Sequence, residues 1–422
     1  METLRGKRLL ILGGKSIMVD IVERAKALGV YTVVTDNRPY EVSPAKQIAD
    51  AYYNISFSDI DRIVEIIRQE KIDGVLTGFT DSYLDYYARI CHAAGLPCYG
   101  GKRQFEIATD KSAFKKACLD AGVPVIPGRE VRTLEEAKQE AEKQGYPVIM
   151  KPADNSGSRG VIKCAQPEEA ADAFSYAQAY SSIGVVIIEK YMECDNIAVS
   201  YFAADGEIQL TTTCERRLHI SQETGSSITS FTRYPSRYTD RYIREVNNAV
   251  LEMLRRNGFN NGMIAFQAFV DENSFYFCEM CFRPSGGHHY ILIEDQNNVD
   301  EMALLIEFAV CGSCHDSWQS ERETPNFATE CAMVKLIGVP GAKIARIAGI
   351  ETVRARPDVI SAIPMLDVGS TVGADGTTGQ VLATIWYRCT EGVPPEETAR
   401  QIAEEFCIED EQGMSIARVS IM

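Results

Sequence analysis

The segment at residues 275–287, FYFCEMCFRPSGG, constrains this chain more than any other. It places an acid and an arginine in a stretch that otherwise resembles a buried strand and then breaks at two glycines. Side chains alternate along a strand, so Phe275, Phe277, Glu279, Cys281 and Arg283 are predicted to share one face. A carboxylate and a guanidinium on such a face are costly unless a charged group lies between them. A divalent cation on an anionic phosphate would suit both.

The overall composition favours an ordinary globular protein and excludes some partners. The length of 422 residues predicts two to four domains. A content of 45% hydrophobic and 24% charged residues is typical of globular proteins. A net charge of −16 disfavours a nucleic-acid partner. The sequence contains no apolar run of about 18 residues and no apparent signal peptide, so we expect no membrane association. The 13 cysteines, an odd number, are then expected to be reduced thiols in a cytoplasmic protein.

The order of predicted elements indicates a mixed fold, α/β followed by α+β. Strands alternate with amphipathic helices over the first 100 residues, which predicts a parallel sheet with helices on both faces. Ligands of such sheets lie at the carboxyl ends of the strands, here near 13–14, Asp36 and 77–78. A second block reaches about residue 200, a third contains the opening segment, and the last hundred residues are predicted to form short strands and an amphipathic helix.

Two motifs in the second block are suited to a nucleotide. Lys151 closes the apolar strand 147–152 and precedes the Gly/Ser-rich loop 154–160, an arrangement that can bind and cover phosphates. A surface hairpin with a solvated lysine is the alternative. The strand 185–189 runs into a polar connector at Glu189–Met192, whose backbone groups could hold an adenine edge. An ordinary strand end is the alternative there.

The opening strand has a predicted antiparallel partner in 262–270. A three-residue loop, 272–274, would pair Asp271 with Phe275 and would set Gln267 directly opposite Glu279. Two oxygen ligands would then project side by side, as Mg²⁺ on a nucleotide requires. A four-residue loop would break this pairing.

Three other motifs fail on spacing or context. The GKS at 14–16 lacks the first glycine of a phosphate-binding loop, and the glycine pair 13–14 lacks dinucleotide spacing. The CGSCH at 311–315 fits a haem-attachment pattern that requires export. We therefore expect a buried or helix-end thiol pair at 311–315.

Taken together and in this order, the motifs resemble the ATP-grasp superfamily of carboxylate–amine and carboxylate–thiol ligases. The resemblance is greatest to the branch related to the carbamoyl-phosphate synthase large chain and the L-amino acid ligases, although that large chain carries two such halves and this chain carries one. It implies a Rossmann-like domain at 1–104 and a central two-lobed ATP-grasp domain at 105–320. The small lobe would cover about 120–192 with a lid loop at 154–160, and an α+β region at 321–422 would complete the unit.

The resemblance also implies roles for individual residues, with ATP and Mg²⁺ (or Mn²⁺) as cofactors. The implied nucleotide-binding residues are Lys111 and Lys151 on the phosphates, Ser156, Gly157, Ser158 and Gly160 in the lid, Glu189 with the backbone of Lys190 and Met192 on adenine, and Asn196 at the ribose position. The implied reaction-centre residues are Gln267 and Glu279 on the metal, Arg283 on the acyl phosphate, and the amides of Gly286 and Gly287 on its oxyanion.

One departure from the family pattern concerns the metal. The family usually has Glu-x-Asn-x-Arg, whereas Cys281 stands here in place of the asparagine. Thiols are soft ligands and poor for Mg²⁺. Either the metals rely on Gln267, Glu279 and water, or one metal is lost.

The expected function is ATP-dependent activation of a carboxylate as an acyl phosphate and its joining to an amine. Small-molecule substrates of the amino acid or peptide type are expected, with Arg216, Ser226 and His288 as candidate substrate residues and a homodimer by analogy. His288 and its neighbour His289 could instead be structural histidines. The alternatives are carboxylation with bicarbonate, of the carbamoyl-phosphate synthase or biotin carboxylase type, and a nucleotide-binding module without catalysis.

Overall fold

The computed structural model describes residues 4–154, 160–223 and 225–421. Its N-terminal part contains a parallel sheet of order β3-β2-β1-β4 with helices packed around it. The strands are β1 (Arg8–Leu12), β2 (Tyr31–Thr35), β3 (Ala51–Tyr53) and β4 (Gly74–Thr77), and the helices are α1 (Val19–Ala27), α2 (Pro44–Ile48), α3 (Ile60–Glu70) and α4 (Leu84–Ala94). The predicted parallel sheet is therefore confirmed.

Two consecutive helices, α5 (Lys102–Thr109) and α6 (Lys111–Asp120), follow the parallel sheet. The Asp110 carboxylate caps α6 by accepting from the backbone N–H groups of Ser112 and Ala113, at 2.9 and 2.8 Å. This cap satisfies two of the free amides at the helix start. It fixes Lys111 as the first helical residue.

A four-stranded antiparallel sheet with its own core comes next, in the order β5-β8-β6-β7. Its elements are β5 (Gly128–Val131), α7 (Leu134–Gln144), β6 (Val148–Pro152), β7 (Ile162–Cys164), α8 (Ala170–Ala179) and β8 (Val186–Lys190). Val148, Met150 and Ile188 are buried against the two helices. The lid residues Ser156, Gly157 and Ser158 lie outside the described residues.

The rest of the chain is organised by one large antiparallel sheet, ordered β13-β12-β9-β10-β11-β14-β17-β16, with β19 paired to β14. Its strands are β9 (Asp195–Ala204), β10 (Glu207–Ile220), β11 (Ser227–Tyr234), β12 (Gly262–Val270), β13 (Phe275–Phe282), β14 (Cys331–Gly338), β16 (Val359–Pro364), β17 (Val381–Arg388) and β19 (Ala417–Val419). A two-stranded sheet joins β15 (Ile344–Ala348) to β18 (Cys407–Asp410). The helices are α9 (Thr239–Glu245), α10 (Asn247–Arg256), α11 (His289–Asn297), α12 (Glu301–Cys311), α13 (Ile350–Arg354) and α14 (Pro395–Glu405).

This sheet joins the segments on both sides of residue 320, because β11 pairs with β14. Residues 321–422 therefore share a sheet with the preceding block. Val334 and Leu336 of β14 pack with Ile402 of α14 in a C-terminal core. Met333 instead belongs to the main core, on the opposite face. The domain boundaries at 104 and 320 stay a prediction.

The hairpin of β12 and β13 reaches the predicted pairing by a different route. Gln267 does lie directly opposite Glu279, but Val270 pairs with Phe275, so the loop has four residues. A bulge at Cys278 restores the register, since Ala268 pairs with Phe277 and Gln267 with Glu279.

The bulge makes the predicted face of the opening strand wrong in part. Phe275 and Phe277 are buried, and after the bulge Met280 and Phe282 take over the buried side. Glu279 is exposed and Cys281 is half-buried. The extra residue therefore separates the two phenylalanines from the face that carries Glu279.

Two further expectations concern helices and thiols. Within the described ranges, the structure contains no helix with both the length and the apolar character needed to cross a membrane. All thirteen cysteines are free thiols, including the exposed Cys311 and the buried Cys314.

Candidate active site

Three lysines surround one buried glutamate where the small sheet ends. Lys151, at the end of β6, places its Nζ 2.6 Å from Oε2 of Glu189 on β8. Lys115 of α6 lies 3.5 Å from Oε1 of the same carboxylate. Burial would lower the pKa of Lys151, but Glu189 outweighs it and raises that pKa. Burial lowers the pKa of Lys111, and the nearby Lys151 charge lowers it further.

This cluster changes the expected role of the adenine connector. The Glu189 carboxylate is engaged by lysines, and the Lys190 amide donates to the carbonyl of Pro127 at 3.0 Å. Neither group is therefore available to an adenine edge in this arrangement. In the described part of the chain, the backbone of Met192 makes no backbone hydrogen bond. Met192 remains the connector residue best able to take that role.

The base of the predicted lid is fixed on both sides. Asp154 accepts from the Ser181 hydroxyl at 2.7 Å and from the Ser182 amide at 2.9 Å. Gly160 has φ +76°, and a Cβ there would lie 2.6 Å from Tyr180. A side chain at position 160 would therefore be strained and would clash.

The predicted metal pair faces the lysine cluster from the large sheet. Glu279 is exposed, and its carboxylate makes no hydrogen bond or ion pair with another described residue. Its charge acts on both lysines, because it offsets part of the lowering of the Lys111 pKa by burial and adds to the raising of the Lys151 pKa by Glu189. The two sheets therefore bring opposite charges together across one site.

Gln267 is held by an arginine. Nη1 of Arg216 on β10 donates to Oε1 of Gln267 at 2.5 Å and to Oδ1 of Asn196 at 3.0 Å. Its Nε and Nη2 donate to the Thr229 hydroxyl at 3.1 and 2.6 Å. Arg216, Asn196 and Gln267 therefore form one network, although the sequence indicated three separate roles for them.

The donor set fits a divalent cation at Glu279 but gives it few protein ligands. Carboxylate and amide oxygens suit Mg²⁺. Burial raises the pKa of Cys281 to about 11 and that of Cys278 to about 12, so both are neutral thiols and do not fit Mg²⁺. Among the described residues, no group of three or more His, Cys, Asp and Glu side chains could hold a metal ion.

Arg283 is occupied by a residue that sequence reasoning missed. Its Nε and Nη2 donate to the two carboxylate oxygens of Asp81, at 2.7 and 2.6 Å, and Nη1 donates to the carbonyl of Pro284. Asp81 follows β4 at the carboxyl edge of the parallel sheet, where ligands were expected. That position in the sequence could have identified Asp81 as a candidate site residue. The bidentate pair fixes the guanidinium plane.

In the turn after Arg283, the backbone N–H groups of the two glycines are available to bind a ligand. The N–H groups of Gly286 and Gly287 donate to no other described residue, and the Gly287 carbonyl accepts from the Trp386 indole at 3.2 Å. Trp386 thus holds the turn from the large sheet. Two adjacent free amides can bind an oxyanion.

The two histidines beyond the turn are packed as structural groups. His288 is 1% exposed, stacks on Phe79 at 4.6 Å, and places Nδ1 2.9 Å from the Tyr290 hydroxyl. That hydroxyl donates to Asp20, so Nδ1 of His288 carries the proton. Burial lowers the pKa of His288 to about 3. His288 as a substrate residue is therefore not supported, because its ring is enclosed.

His289 lies nearer the site but is also neutral. Its Nδ1 lies 2.6 Å from the Ser200 hydroxyl on β9. Burial lowers its pKa to about 3, with the charge of Arg216 adding to the effect. The imidazole therefore acts as a neutral hydrogen-bonding group at physiological pH.

Ser226 lies next to the C-terminal loop. It is in the turn between β10 and β11, packed against Gly376, where an added Cβ would lie 2.3 Å from the Ser226 carbonyl. Ser226 therefore contacts the C-terminal loop, and its role in substrate binding stays a prediction.

Lys335 is a second residue that sequence reasoning missed. Arg216 pairs with Thr232, and Thr232 pairs with Met333, so Lys335 shares their face of the sheet. Burial and the Arg216 charge lower the pKa of Lys335 to about 8. A lysine inside the apolar strand CAMVKLIG was the signal that could have found it.

Lys111 of α6, Lys151 of the small sheet and Glu279 of the large sheet thus form a charged site that is suited to phosphates and a cation. Residues 110–289 match the family model described as "Carbamoyl-phosphate synthase L chain, ATP binding domain". That match covers 180 of the 422 residues, and the carbamoyl phosphate synthase large chain of Clostridium botulinum is 24% identical over 306 residues. The resemblance seen in the sequence is thereby confirmed.

Curated relatives are similar over part or most of the chain. The 2-oxoglutarate carboxylase small subunit of Hydrogenobacter thermophilus is 28% identical over 205 residues, which are 44% of this chain and 43% of that protein. The formate-dependent phosphoribosylglycinamide formyltransferase of Bacillus velezensis is 26% identical over 73% of this chain and 78% of that protein. The chain thus spans less than half of the first relative and about three quarters of the second.

Solved structures share the fold over nearly the whole chain. Phosphoribosylglycinamide synthetase from Anaerococcus prevotii has a TM-score of 0.75 at 18% identity and covers 96% of this chain and 100% of its own. L-amino acid ligase from Bacillus licheniformis has a TM-score of 0.77 at 16% identity and covers 96% and 99%. At these identities the likeness concerns the fold alone.

Proposed function

We propose that this protein is an ATP-dependent ligase that activates a small carboxylate as an acyl phosphate and transfers the acyl group to an amine. The observation that carries the proposal is the charge arrangement between the two sheets. The unpaired Glu279 carboxylate acts on Lys111 of α6 and Lys151 of the small sheet, and Arg283, further along the same chain segment, is followed by two amides that make no backbone hydrogen bond among the described residues. Such an arrangement provides positive charge for phosphates and an oxyanion site for the acyl group.

Lys111 and Lys151 are assigned to the ATP phosphates. Lys151 stays charged because Glu189 raises its pKa, and Lys111 lies at the N-terminal turn of α6, where the helix dipole also favours an anion. Mg²⁺ at Glu279 would neutralise phosphate charge when bound. The Met192 backbone would hold adenine, with Asn196 near the ribose.

The carboxylate substrate is assigned to Arg283, with Lys335 at the same face of the large sheet. Arg283 is oriented for bidentate contact, and Asp81 occupies that position in this structure. A substrate carboxylate is chemically equivalent to the Asp81 side chain and could replace it. The Gly286 and Gly287 amides would then receive the oxygen that becomes negative.

Two displacement steps account for the reaction. A carboxylate oxygen attacks the γ-phosphorus, the bond to the ADP oxygen breaks, and ADP leaves with the electron pair. The amine then attacks the acyl carbon, and inorganic phosphate leaves as the amine loses a proton. Lys111 and Lys151 stabilise charge in the first step, and the glycine amides stabilise it in the second.

The test is inorganic phosphate release from ATP and Mg²⁺ over a matrix of acids and amines. The acids should include formate, bicarbonate and amino acids, because the relatives include a formate-dependent transferase and a carboxylase. Release that requires both an acid and an amine supports the ligase. Release with bicarbonate alone would favour carboxylation. Nucleotide binding with no stimulation by any pair would contradict both.

We further propose that the chain forms a homodimer through the edge of the parallel sheet. The edge strand β3 carries exposed Tyr52, whose ring lies 4.9 Å from that of exposed Tyr40. An exposed aromatic pair on an unpaired edge favours self-association. Light scattering should give twice the chain mass, and Tyr52→Glu should give the single mass. A single mass for both would refute it.

A further inference from the structure

A γ-phosphoryl group in transfer needs several positive charges around it, and many enzymes supply them with two metal ions. The site described above has few metal ligands and one arginine placed among them. Nη1 of Arg216 donates at 2.5 Å to Oε1 of Gln267, the oxygen that the resemblance assigns to a metal ion. This juxtaposition indicates how the chain meets the charge requirement.

The guanidinium of Arg216 is fixed by neutral groups only. Its partners are the amide oxygens of Gln267 and Asn196 and the hydroxyl of Thr229. No carboxylate within the described ranges forms an ion pair with it. The full positive charge of Arg216 is therefore available to an anionic ligand.

The residue at position 267 helps to keep the positive charge of Arg216 available to an anionic ligand. A carboxylate there would pair with Arg216 at the same 2.5 Å and cancel its charge, whereas the glutamine amide orients the guanidinium and leaves the charge intact. The same amide oxygen is the ligand that a second metal ion would need. An ion at that oxygen would lie next to a fixed cation.

The opposite strand provides no replacement ligand. Cys281 is half-buried, and its sulfur lies 4.0 Å from the carbonyl of Arg283. The extra residue of the bulge, Cys278, directs its sulfur to the Gln267 carbonyl at 3.3 Å. Sulfur is a soft ligand and does not suit Mg²⁺. Glu279 is then the one acidic ligand of the pair of strands.

We propose that the site holds a single divalent cation, at Glu279, and that the guanidinium of Arg216 supplies the remaining positive charge on the Gln267 side. This inference rests on the proposed function, because it concerns the ATP phosphates. It also reassigns Arg216 from a substrate carboxylate to the nucleotide phosphates.

The test counts Mn²⁺ bound per chain, by electron paramagnetic resonance, with a non-hydrolysable ATP analogue at saturation. The wild-type chain should bind one Mn²⁺. Nucleotide binding is measured on the same samples by calorimetry. The paired variant Arg216→Gln with Cys281→Asn should bind a second Mn²⁺, because it removes the fixed cation and restores an oxygen ligand.

Two single substitutions at Arg216 test whether its positive charge, and not only its size, is needed for nucleotide binding. Arg216→Gln should weaken binding of the analogue at least tenfold in the absence of any carboxylate, and Arg216→Lys should retain one Mn²⁺ and most of the affinity. The matched control is Arg217→Gln, since Arg217 pairs with Glu396 at 2.7 Å on the other face of the sheet. Arg217→Gln should change neither the stoichiometry nor the affinity.

The outcomes distinguish this proposal from the proposed function. Two Mn²⁺ ions in the wild-type chain with bound nucleotide would overturn the single-cation site and leave the ligase standing. Unchanged analogue affinity in folded Arg216→Gln would overturn the assignment of Arg216 to the phosphates. No nucleotide binding by the wild-type chain would overturn both.

Discussion

The buried pair of Lys151 and Glu189 gives the sharpest test of how this site is held together. The residues are 8% and 6% exposed, and their charged atoms lie 2.6 Å apart. At an effective dielectric of about 20, charges at 2.6 Å attract by about 6 kcal/mol. Desolvation removes part of that gain. Truncating one partner of a buried pair typically costs about 3–5 kcal/mol, because the other charge is left buried.

Glu189→Gln should therefore lower the free energy of unfolding by about 3–5 kcal/mol. For a cooperative unfolding unit of about 150–250 residues, this loss should lower the melting temperature by about 6–20 °C. Differential scanning calorimetry or urea titration measures the change. The control is Glu193→Gln, because Glu193 lies 3.9 Å from Lys163 and its side chain is 75% exposed. That exposed pair should contribute less than about 1 kcal/mol.

The pH dependence provides a second, independent readout. In the wild-type chain, Glu189 raises the pKa of Lys151, so the stabilisation is present at neutral pH and is lost only as the pH rises through that raised pKa. Without Glu189, burial lowers the pKa of Lys151 below its unfolded value. The unfolded state then binds more protons, so stability of the variant should rise between neutral pH and pH 10. A variant as stable as the wild-type chain, with no such rise, would refute the reasoning.

Three further predictions concern the site. Lys335→Met should raise the KM for the carboxylate about tenfold at pH 7. In the wild-type enzyme the carboxylate affinity should fall above pH 8, where Lys335 loses its proton, and Lys335→Met should remove this fall. A wild-type KM that does not change with pH would contradict this. Asp81→Asn should lower the free energy of unfolding by about 1–3 kcal/mol, because the Arg283 guanidinium loses its bidentate partner; Asp85→Asn, 77% exposed, is the control, and equal losses for both would contradict it. Glu279→Gln should reduce ATP turnover at least a hundredfold without changing the melting temperature, whereas full activity would remove Glu279 from the metal site.

The elements that local patterns specify were predictable from the sequence. The Asp110 cap and the strand before Lys151 follow from capping and apolar periodicity, and the parallel N-terminal sheet follows from strand–helix alternation. Residues that act through distant partners were not found in this way. Asp81 and Arg283 are 202 residues apart, and Arg216 reaches Gln267 across β9. These contacts depend on which strands become neighbours, which no local pattern contains.

The hairpin shows how a correct contact can follow from an incorrect local model. A constant register from a three-residue loop and a four-residue loop with one bulge both set Gln267 opposite Glu279. They differ in what lies beside Glu279, because only the bulge moves Phe275 and Phe277 to the buried side. In the structure, the face of Glu279 is therefore polar enough to receive a nucleotide, while the aromatic residues pack in the core. Cys278 is the residue that this arrangement leaves unpaired in the ladder. Deleting Cys278 should leave a regular ladder in which Phe277 still pairs with Ala268 and Glu279 with Gln267, on opposite faces of the strand, so nucleotide-dependent Mn²⁺ binding should persist in the variant; its loss in a folded variant would contradict this account of the hairpin.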